Sequence, residues 1–297
     1  MSADGYELID SGGGRKLERF GRYVLARPCA QAMWRPSLDA AAWGRADASF
    51  DREDGNRWHG RGNLPKEWQI SAAGILFRLG GTDFGHLGIF PEQIAQWRWI
   101  RKVIGERIPR AKRVAEGDAL AGVMSGNGKR VQVLNLFAYS GGSTMAAALG
   151  GAEVCHLDAS KGMVEWAREN ARLNGLGDAP IRWIVDDAHK FMKREIRRGR
   201  RYDAIVLDPP TFGRGAGGEM YKIERDLGET LGLVKSLLSD SPLFVLFSSH
   251  TPGLSVHVAE NVIAQLFPSA RIESGEMLLE GSSLSCPSGI YCRAVFG

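Results

Sequence analysis

The chain reads as an α/β protein. Its core is a doubly wound, mostly parallel, Rossmann-like sheet of seven strands that ends in an antiparallel hairpin, and a small β-rich region precedes it. Three observations predict this. From residue 131 onward, short runs rich in Val, Leu and Ile alternate with amphipathic helical stretches, the pattern of βαβ units. The apolar run Val131–Phe137 opens into the small turn Ala138-Tyr-Ser-Gly-Gly142 and then a helical Thr144–Leu149. Such a strand–turn–helix unit presents backbone N–H groups to a nucleotide-like ligand. Six of the eight tryptophans fall within the first 99 residues, where helical periodicity is weak and Gly, Pro and Asp punctuate short segments.

The front region, residues 1–85, is expected to hold strands at Phe20–Leu25, Trp68–Ser71 and Gly74–Leu79, with a polar loop over Asp51–Asn63. The main domain is expected over 86–297. Its first helix starts at Pro91, a favoured first helical residue, with Ile94, Trp97, Ile100 and Ile104 on one helical stripe. Strands are predicted at Val131–Phe137, Glu153–Leu157, Ile181–Val185, Tyr202–Leu207 and Leu243–Phe247. The helices between and after them are Thr144–Leu149, Lys161–Leu173, Ala188–Arg197, Tyr221–Leu238 and Val256–Phe267. Asn174-Gly175 stops the second of these. Arg271–Leu278 and Ile290–Phe296, joined by the polar stretch Glu280–Gly289, read as the closing strand pair.

Composition excludes several classes. At 297 residues, 44% hydrophobic and 24% charged, the chain matches a globular protein with a substantial core. No apolar run approaches the ~20 residues of a membrane span, the longest compact one being Leu243–Phe247. Met1–Glu7 has no basic head leading into an apolar stretch, so no secretory signal is expected. Cys29, Cys155, Cys286 and Cys292 form no Cys-x-x-Cys pair and no zinc-like spacing. Reduced core cysteines, no metal and a cytoplasmic location are therefore expected. A net charge of +4 does not by itself argue for nucleic acid. Its distribution is uneven: seven basic residues and one acid, Glu195, lie between Lys190 and Arg201, and a second basic stretch runs from Arg98 to Arg113. Each is either a solvated helix face or a phosphate-contacting rim.

Four sites repeat one theme, small or acidic residues just past the end of a strand. They are Phe137–Gly142, Asp158, Asp186-Asp187-Ala188, and Asp208-Pro-Pro-Thr-Phe212. An open α/β sheet binds its ligand at that end. The glycine turn lets the backbone approach the ligand. Asp158, 17 residues after Gly141, is placed to accept hydrogen bonds from two ribose hydroxyls, and Asp187 to accept from an adenine amino group. Each aspartate also precedes a helix, so an N-cap is the alternative reading of both.

This set resembles the class I S-adenosylmethionine-dependent methyltransferases, and within them the bacterial 23S ribosomal-RNA group that carries Asp-Pro-Pro-x-Phe. The resemblance runs from about Phe84 to the C-terminus and rests on Leu134–Gly142, Trp166–Asn174, Asp208–Phe212 and Gly88–Gln93. It implies S-adenosylmethionine as cofactor and RNA, ribosomal above all, as partner. The cofactor contacts it implies are Phe90, Gln93, Phe137, Ala138, Tyr139, Ser140, Gly141, Asp158, Ser160, Asp187 and Ala188. In related enzymes the polar side chain and a proline carbonyl of the motif accept hydrogen bonds from a target nitrogen, and the aromatic stacks on an extruded base. Asp208, Pro209 and Phe212 are the corresponding catalytic candidates. A rigid diproline turn with Phe212 in the core is the alternative.

One branch of the group methylates carbon 5 of cytosine and needs a cysteine nucleophile after the following strand. Here that place reads Phe247-Ser-Ser-His250, with Ser249 as the equivalent. A nitrogen acceptor is therefore expected, although Cys286 and Cys292 could reach the site in space. His250 is either a base near the acceptor or a loop histidine. Tyr221-Lys222, after the glycine-rich 213–218, resembles a substrate-touching pair of the family or else simply starts a helix. A protein or small-molecule acceptor stays open, as does a non-catalytic RNA-binding module. A nicotinamide enzyme would want Gly-x-Gly-x-x-Gly, which Tyr139-Ser-Gly-Gly-Ser-Thr144 does not supply.

Overall fold

The computed structural model describes residues 5–52, 55–107, 130–214, 220–281 and 284–297. They form two compact units, residues 1–94 with 277–288, and residues 95–276 with 289–297.

The first unit is built on a five-stranded sheet in the order β1 (Tyr6–Gly12), β2 (Arg15–Phe20), β3 (Tyr23–Pro28), β4 (Ala48–Asp51) and β5 (Arg57–His59). All neighbours are antiparallel except β3 and β4. A short helix α1 (Ala40–Trp43) and the hairpin β6 (Trp68–Ala72), β7 (Ile75–Leu79) complete it. Two expectations are corrected here. Phe20–Leu25 is not one strand: Gly21 at φ +65° turns the chain, and Phe20 pairs with Tyr23 across a two-residue hairpin. The expected loop 51–63 contains β5, because Trp58 packs on Phe50 at 5.1 Å while its indole N–H donates to the Thr82 carbonyl at 2.8 Å. The tryptophans of this region serve as amphipathic anchors. Trp34 donates to the Ser11 carbonyl (2.8 Å) and Trp43 to the Asp10 carboxylate (3.0 Å). Two thiols far apart in sequence also meet, with the Cys29 and Cys286 sulfurs 3.0 Å apart.

The second unit holds α2 (Ile94–Glu106), β8 (Gln132–Leu136), α3 (Gly142–Leu149), β9 (Glu153–Asp158), α4 (Lys161–Leu173), β10 (Ile181–Val185), α5 (Ala188–Arg197) and β11 (Ala204–Leu207). The ribbon β12 (Phe212–Arg214), β13 (Met220–Lys222) follows, then α6 (Ile223–Leu237), β14 (Phe244–Ser249), α7 (Val256–Leu266), β15 (Arg271–Leu279) and β16 (Cys286–Val295). The sheet order is β10-β9-β8-β11-β14-β16-β15, parallel from β10 to β14, with β16 antiparallel to β14. The predicted helix from Tyr221 starts two residues later, because Tyr221 and Lys222 pair with Gly213 and Phe212 in the ribbon.

Leu134, Leu136, Ile205, Leu207, Val245 and Phe247 of the central strands pack against Leu231, Val234 and Ile263 of the helices. Two polar devices fix the frame. Buried Asn135 of β8 donates to the Thr144 hydroxyl of α3 at 2.9 Å, and that hydroxyl meets Nδ1 of fully buried His156 on β9, also at 2.9 Å. Arg293 of β16 donates to Oε1 of Gln96 on α2 (2.6 and 3.0 Å) and to Glu273 on β15 (3.2 Å). Its guanidinium lies over the rings of Trp99 (4.2 Å) and Tyr291 (4.6 Å).

Candidate active site

Strand register sets the site. Leu136 of β8 pairs with Leu157 on one side and Leu207 on the other, and Leu207 pairs with Phe247. The residues that follow these stand side by side at its C-terminal edge: Phe137 and Asp208 leave the sheet there, while Asp158 still pairs with Val185 and Ser248 with Tyr291. The chain runs from β8 outward to β10 and then returns to the other side of β8 with β11. The edge at such a reversal opens a ligand crevice.

The turn after β8 is unusual. Phe137 (φ +54°), Tyr139 (φ +49°) and Gly141 (φ +89°) all adopt left-handed backbone, which costs a non-glycine residue about 1 kcal/mol or more. Several bonds hold it there. Ala138 N–H donates to the Leu157 carbonyl (3.0 Å), Tyr139 N–H to Asp158 Oδ2 (2.8 Å), and the buried Asn170 amide to the Ser140 carbonyl (2.9 Å). A side chain at Gly142 would strike the Trp97 ring, with the nearest ring carbon 2.4 Å from its Cβ. Gly142 therefore serves helix packing, whereas Gly141 serves the turn. No side chain caps α3, so its first N–H groups keep free donor capacity.

Asp158 is the centre of the arrangement. Its Oδ1 accepts the Ser160 N–H and its Oδ2 the Tyr139 N–H, both at 2.8 Å. Burial raises its carboxyl above the usual carboxylate range, and these two bonds oppose that rise only in part. Asp158 is not a helix cap: Ser160 caps α4 through Met163 N–H. Asp187 does cap α5, accepting Lys190 N–H at 2.9 Å. Its neighbour Asp186 accepts Asp187 N–H at 2.8 Å and pairs with Arg194. Ala188 is buried at the start of that helix.

On the other side of β8, Asp208 Oδ1 lies 3.4 Å from His250 Nδ1. Pro209 is buried and Pro210 exposed. Phe212 is 62% exposed, which overturns the reading that places it in the core. The Thr211 hydroxyl meets that of Thr251 at 2.9 Å, bracing the motif on the loop after β14. Tyr221 turns its ring to Phe137 (5.5 Å) and His189 (5.9 Å). Burial pushes its phenol up to about 12 although Thr230, 3.4 Å from the hydroxyl, counteracts this. Lys222 is exposed, and its N–H donates to Asp226 Oδ2 at 2.7 Å at the start of α6. Thus the strand ends bring together Phe137–Gly141, Asp158, Ser160, Asp187, Asp208 and His250. Phe90 and Gln93 belong to the first unit, where Phe90 packs on His86 at 5.4 Å and Gln93 is buried.

The family model described as "S-adenosylmethionine-dependent methyltransferase" matches residues 45–240. The chain belongs to this family. A SAM-dependent methyltransferase from Agrobacterium tumefaciens superposes with a TM-score of 0.86 at 35% identity, covering 99% of this chain and 91% of that one. A methyltransferase structure from Streptococcus mutans shares the fold, with a TM-score of 0.71 at 18% identity over 99% of this chain and 76% of that one. Among curated relatives, "Ribosomal RNA large subunit methyltransferase K/L" of Shewanella frigidimarina is 33% identical over 168 residues, 56% of this chain and 20% of that protein. "Ribosomal RNA large subunit methyltransferase K" of Neisseria meningitidis is 37% identical over 120 residues, 39% of this chain and 33% of that protein. The chain thus spans a fifth of the first of these curated relatives and a third of the second.

The methyltransferase cofactor fits the residues present. Each Asp158 oxygen accepts one backbone N–H and retains a second lone pair, which suits the two adjacent hydroxyls of a ribose. Serine, not cysteine, closes β14: Ser249 is 1% exposed and its Oγ accepts Thr251 N–H at 3.2 Å. Cys292 sits opposite Phe247 inside the sheet, and burial pushes its thiol up to about 12. Cys286 belongs to the first unit. Among the seven basic residues from Lys190 to Arg201, Lys193 pairs with Glu229 (2.7 Å), Arg194 with Asp186 and Arg198 with Glu195 (3.3 Å), and Arg201 donates to the Arg200 carbonyl (2.9 Å). Arg197 and Arg200 are exposed. Glu195 is a buried hub that also takes Arg182 and the Tyr202 hydroxyl, each at 2.7 Å. No helix among the described residues is long and apolar enough to cross a membrane, and no group of three or more His, Cys, Asp or Glu among them could hold a metal.

Sequence reasoning passes over Asn170, Thr144, His156 and Thr251. Asn170 carries a detectable signal, a polar residue on the buried stripe Val164, Ala167, Ala171. The others become meaningful only once strand register is known.

Proposed function

We propose that this methyltransferase modifies large-subunit ribosomal RNA in the cytoplasm, at a base nitrogen rather than at carbon 5 of a cytosine, with residues 1–85 as an accessory region and 86–297 as the transferase. The exposed Phe212 beside Asp208 carries this reading. An aromatic ring left in solvent at a strand-end crevice is a stacking platform for an unpaired base. The curated relatives' names point to the same substrate class.

In this proposal the turn Phe137–Gly141 and Ala188 line the cofactor, Asp158 takes the ribose hydroxyls, Ser160 supports Asp158, and Asp187 adds an acceptor for the adenine. Phe90 and Gln93 complete the cofactor contacts. Bound S-adenosylmethionine supplies an electrophilic methyl group on its sulfonium. Asp208 and the Pro209 carbonyl accept hydrogen bonds from the target nitrogen and align its lone pair, the positioning effect that dominates such transfers. Phe212 stacks on the base. His250, 3.4 Å from Asp208, takes up the proton a target amine sheds. Tyr221 supports the turn through Phe137, and Lys222 meets the RNA backbone. The nitrogen preference is supported by the chemistry at the end of β14, where the hydrogen-bonded Ser249 offers no thiolate.

Mass spectrometry of nucleosides from ribosomal RNA of cells with and without the gene tests this. The expected result is loss of one N-methylated base, restored by wild type and not by Asp208→Ala. Loss of 5-methylcytidine would overturn the nitrogen assignment, and an unchanged nucleoside profile would overturn the RNA assignment. A protein or small-molecule acceptor is the second reading, favoured by the ion pairs that neutralise Lys193, Arg194 and Arg198.

A further inference from the structure

We propose that Cys29 and Cys286 are a modification site: a dithiol that oxidises to an intramolecular disulfide when it meets a small-molecule disulfide of the glutathione class. The pair is separated by 257 residues in sequence, yet the sulfurs lie 3.0 Å apart. Bond formation needs them to close by about 1 Å, to the ~2.05 Å of a disulfide. Both cysteines are held on fixed backbone. Cys29 follows β3, its N–H donating to the Gly14 carbonyl (2.7 Å) and its carbonyl accepting Ala32 N–H (3.0 Å). Cys286 opens β16 and packs with Leu8, Ala32 and Leu279, against which Tyr6 and Trp34 also rest. The bridge between Leu8 and Gly281 ties the same hairpin to β1. All these residues belong to the first unit.

The two thiols have different roles. Cys29 is half-buried and reachable, whereas Cys286 is fully buried. The hydrogen bond from the Cys286 thiol lowers the Cys29 sulfur, against burial and with help from the Lys16 ammonium, and the same pairing raises Cys286. Glu18 opposes the effect of Lys16 on Cys29. Cys29 is therefore the attacking thiolate. It displaces one thiolate from the small disulfide and forms a mixed disulfide. Cys286 then loses its proton and attacks the Cys29 sulfur, displacing the second thiolate. Two protein thiols become one disulfide, the small disulfide becomes two thiols, and two electrons pass to it. The product fastens the tip of the β15–β16 hairpin to the end of β3.

The reduced full chain, incubated with oxidised glutathione and then denatured, alkylated and peptide-mapped, tests this. Free thiols should fall from four to two, with a Cys29–Cys286 peptide pair that dithiothreitol releases. Cys155 and Cys292, both buried with raised thiols, should stay reduced. C29S and C286S should each abolish the cross-link, though the wild-type map decides alone if either variant misfolds. Four surviving thiols, a cross-link through Cys155 or Cys292, a disulfide between chains, or arrest at a mixed disulfide would each overturn the proposal.

Discussion

Acidification should destabilise this protein through a histidine inside the methyltransferase sheet. His156 is fully buried, and burial, aided by the nearby Arg168 charge, holds its imidazole down to about 3. The Thr144 hydroxyl accepts from Asn135 and so donates to Nδ1. That places the ring proton on Nε2, which has no hydrogen-bond partner among the described residues. Unfolded, the same ring protonates near its ordinary value of about 6.5. Between those two values the unfolded chain binds the extra proton, so stability falls as pH drops below 6.5. The whole gap is worth about 5 kcal/mol, and about 2 kcal/mol of it is lost between roughly pH 7 and pH 5. The perturbation is His156→Asn, which keeps a polar partner for Thr144 and removes the titration. Urea unfolding at both pH values should show wild type losing about 2 kcal/mol more than the variant, and His156 ring resonances of the folded protein should not titrate down to about pH 5. Equal losses in the two proteins, or a His156 midpoint near 6, would refute the reasoning.

Four further outcomes are expected. In the proposed site Asp158 accepts the two ribose hydroxyls, so Asp158→Ala should weaken S-adenosylhomocysteine binding by about 100-fold or more in calorimetry; because burial raises its carboxyl, wild-type affinity should begin to fall on acidification above the usual carboxylate range. Phe212→Ala should cut kcat/KM on RNA by about 10- to 100-fold with a Tm within about 1 °C of wild type, since the ring is exposed. Burial alone would raise the Glu195 carboxyl, but Tyr202, Arg182 and Arg198 hold it low, so Glu195→Ala should cost about 3 kcal/mol by urea unfolding near neutral pH and less as pH falls through the carboxylate range. Gly142→Ala places a Cβ 2.4 Å from the Trp97 ring and should cost about 1–3 kcal/mol, read as a lowered Tm.

Much of this was legible in the residues. Lys161–Leu173, Ile181–Val185 and Ala188–Arg197 carry strong periodicity and clean caps, and the structure reproduces those bounds. The four strand-end sites are visible because small and acidic residues interrupt apolar runs, and register then sets Phe137, Asp158 and Asp208 side by side. The front sheet was less legible. Its strands are short, and β2 and β3 mix charged with apolar residues because Glu18, Lys16 and Arg27 neutralise one another inside it. Ion pairing of that kind has no sequence period. The same holds for the basic run from Lys190. Its charge is plain in the sequence, but the partners Asp186 and Glu229 that neutralise Arg194 and Lys193 are set by folding.

The position of Arg293 bears on how the chain is made. Synthesis runs from the amino end, so α2 and the five parallel strands emerge before β16, which supplies that guanidinium to Gln96 and Trp99. Until then β14, buried along its whole length in the finished fold, presents a bare apolar margin to the nascent chain's surroundings. A product cut short before Cys286 would leave that margin uncovered, and such margins template aggregation.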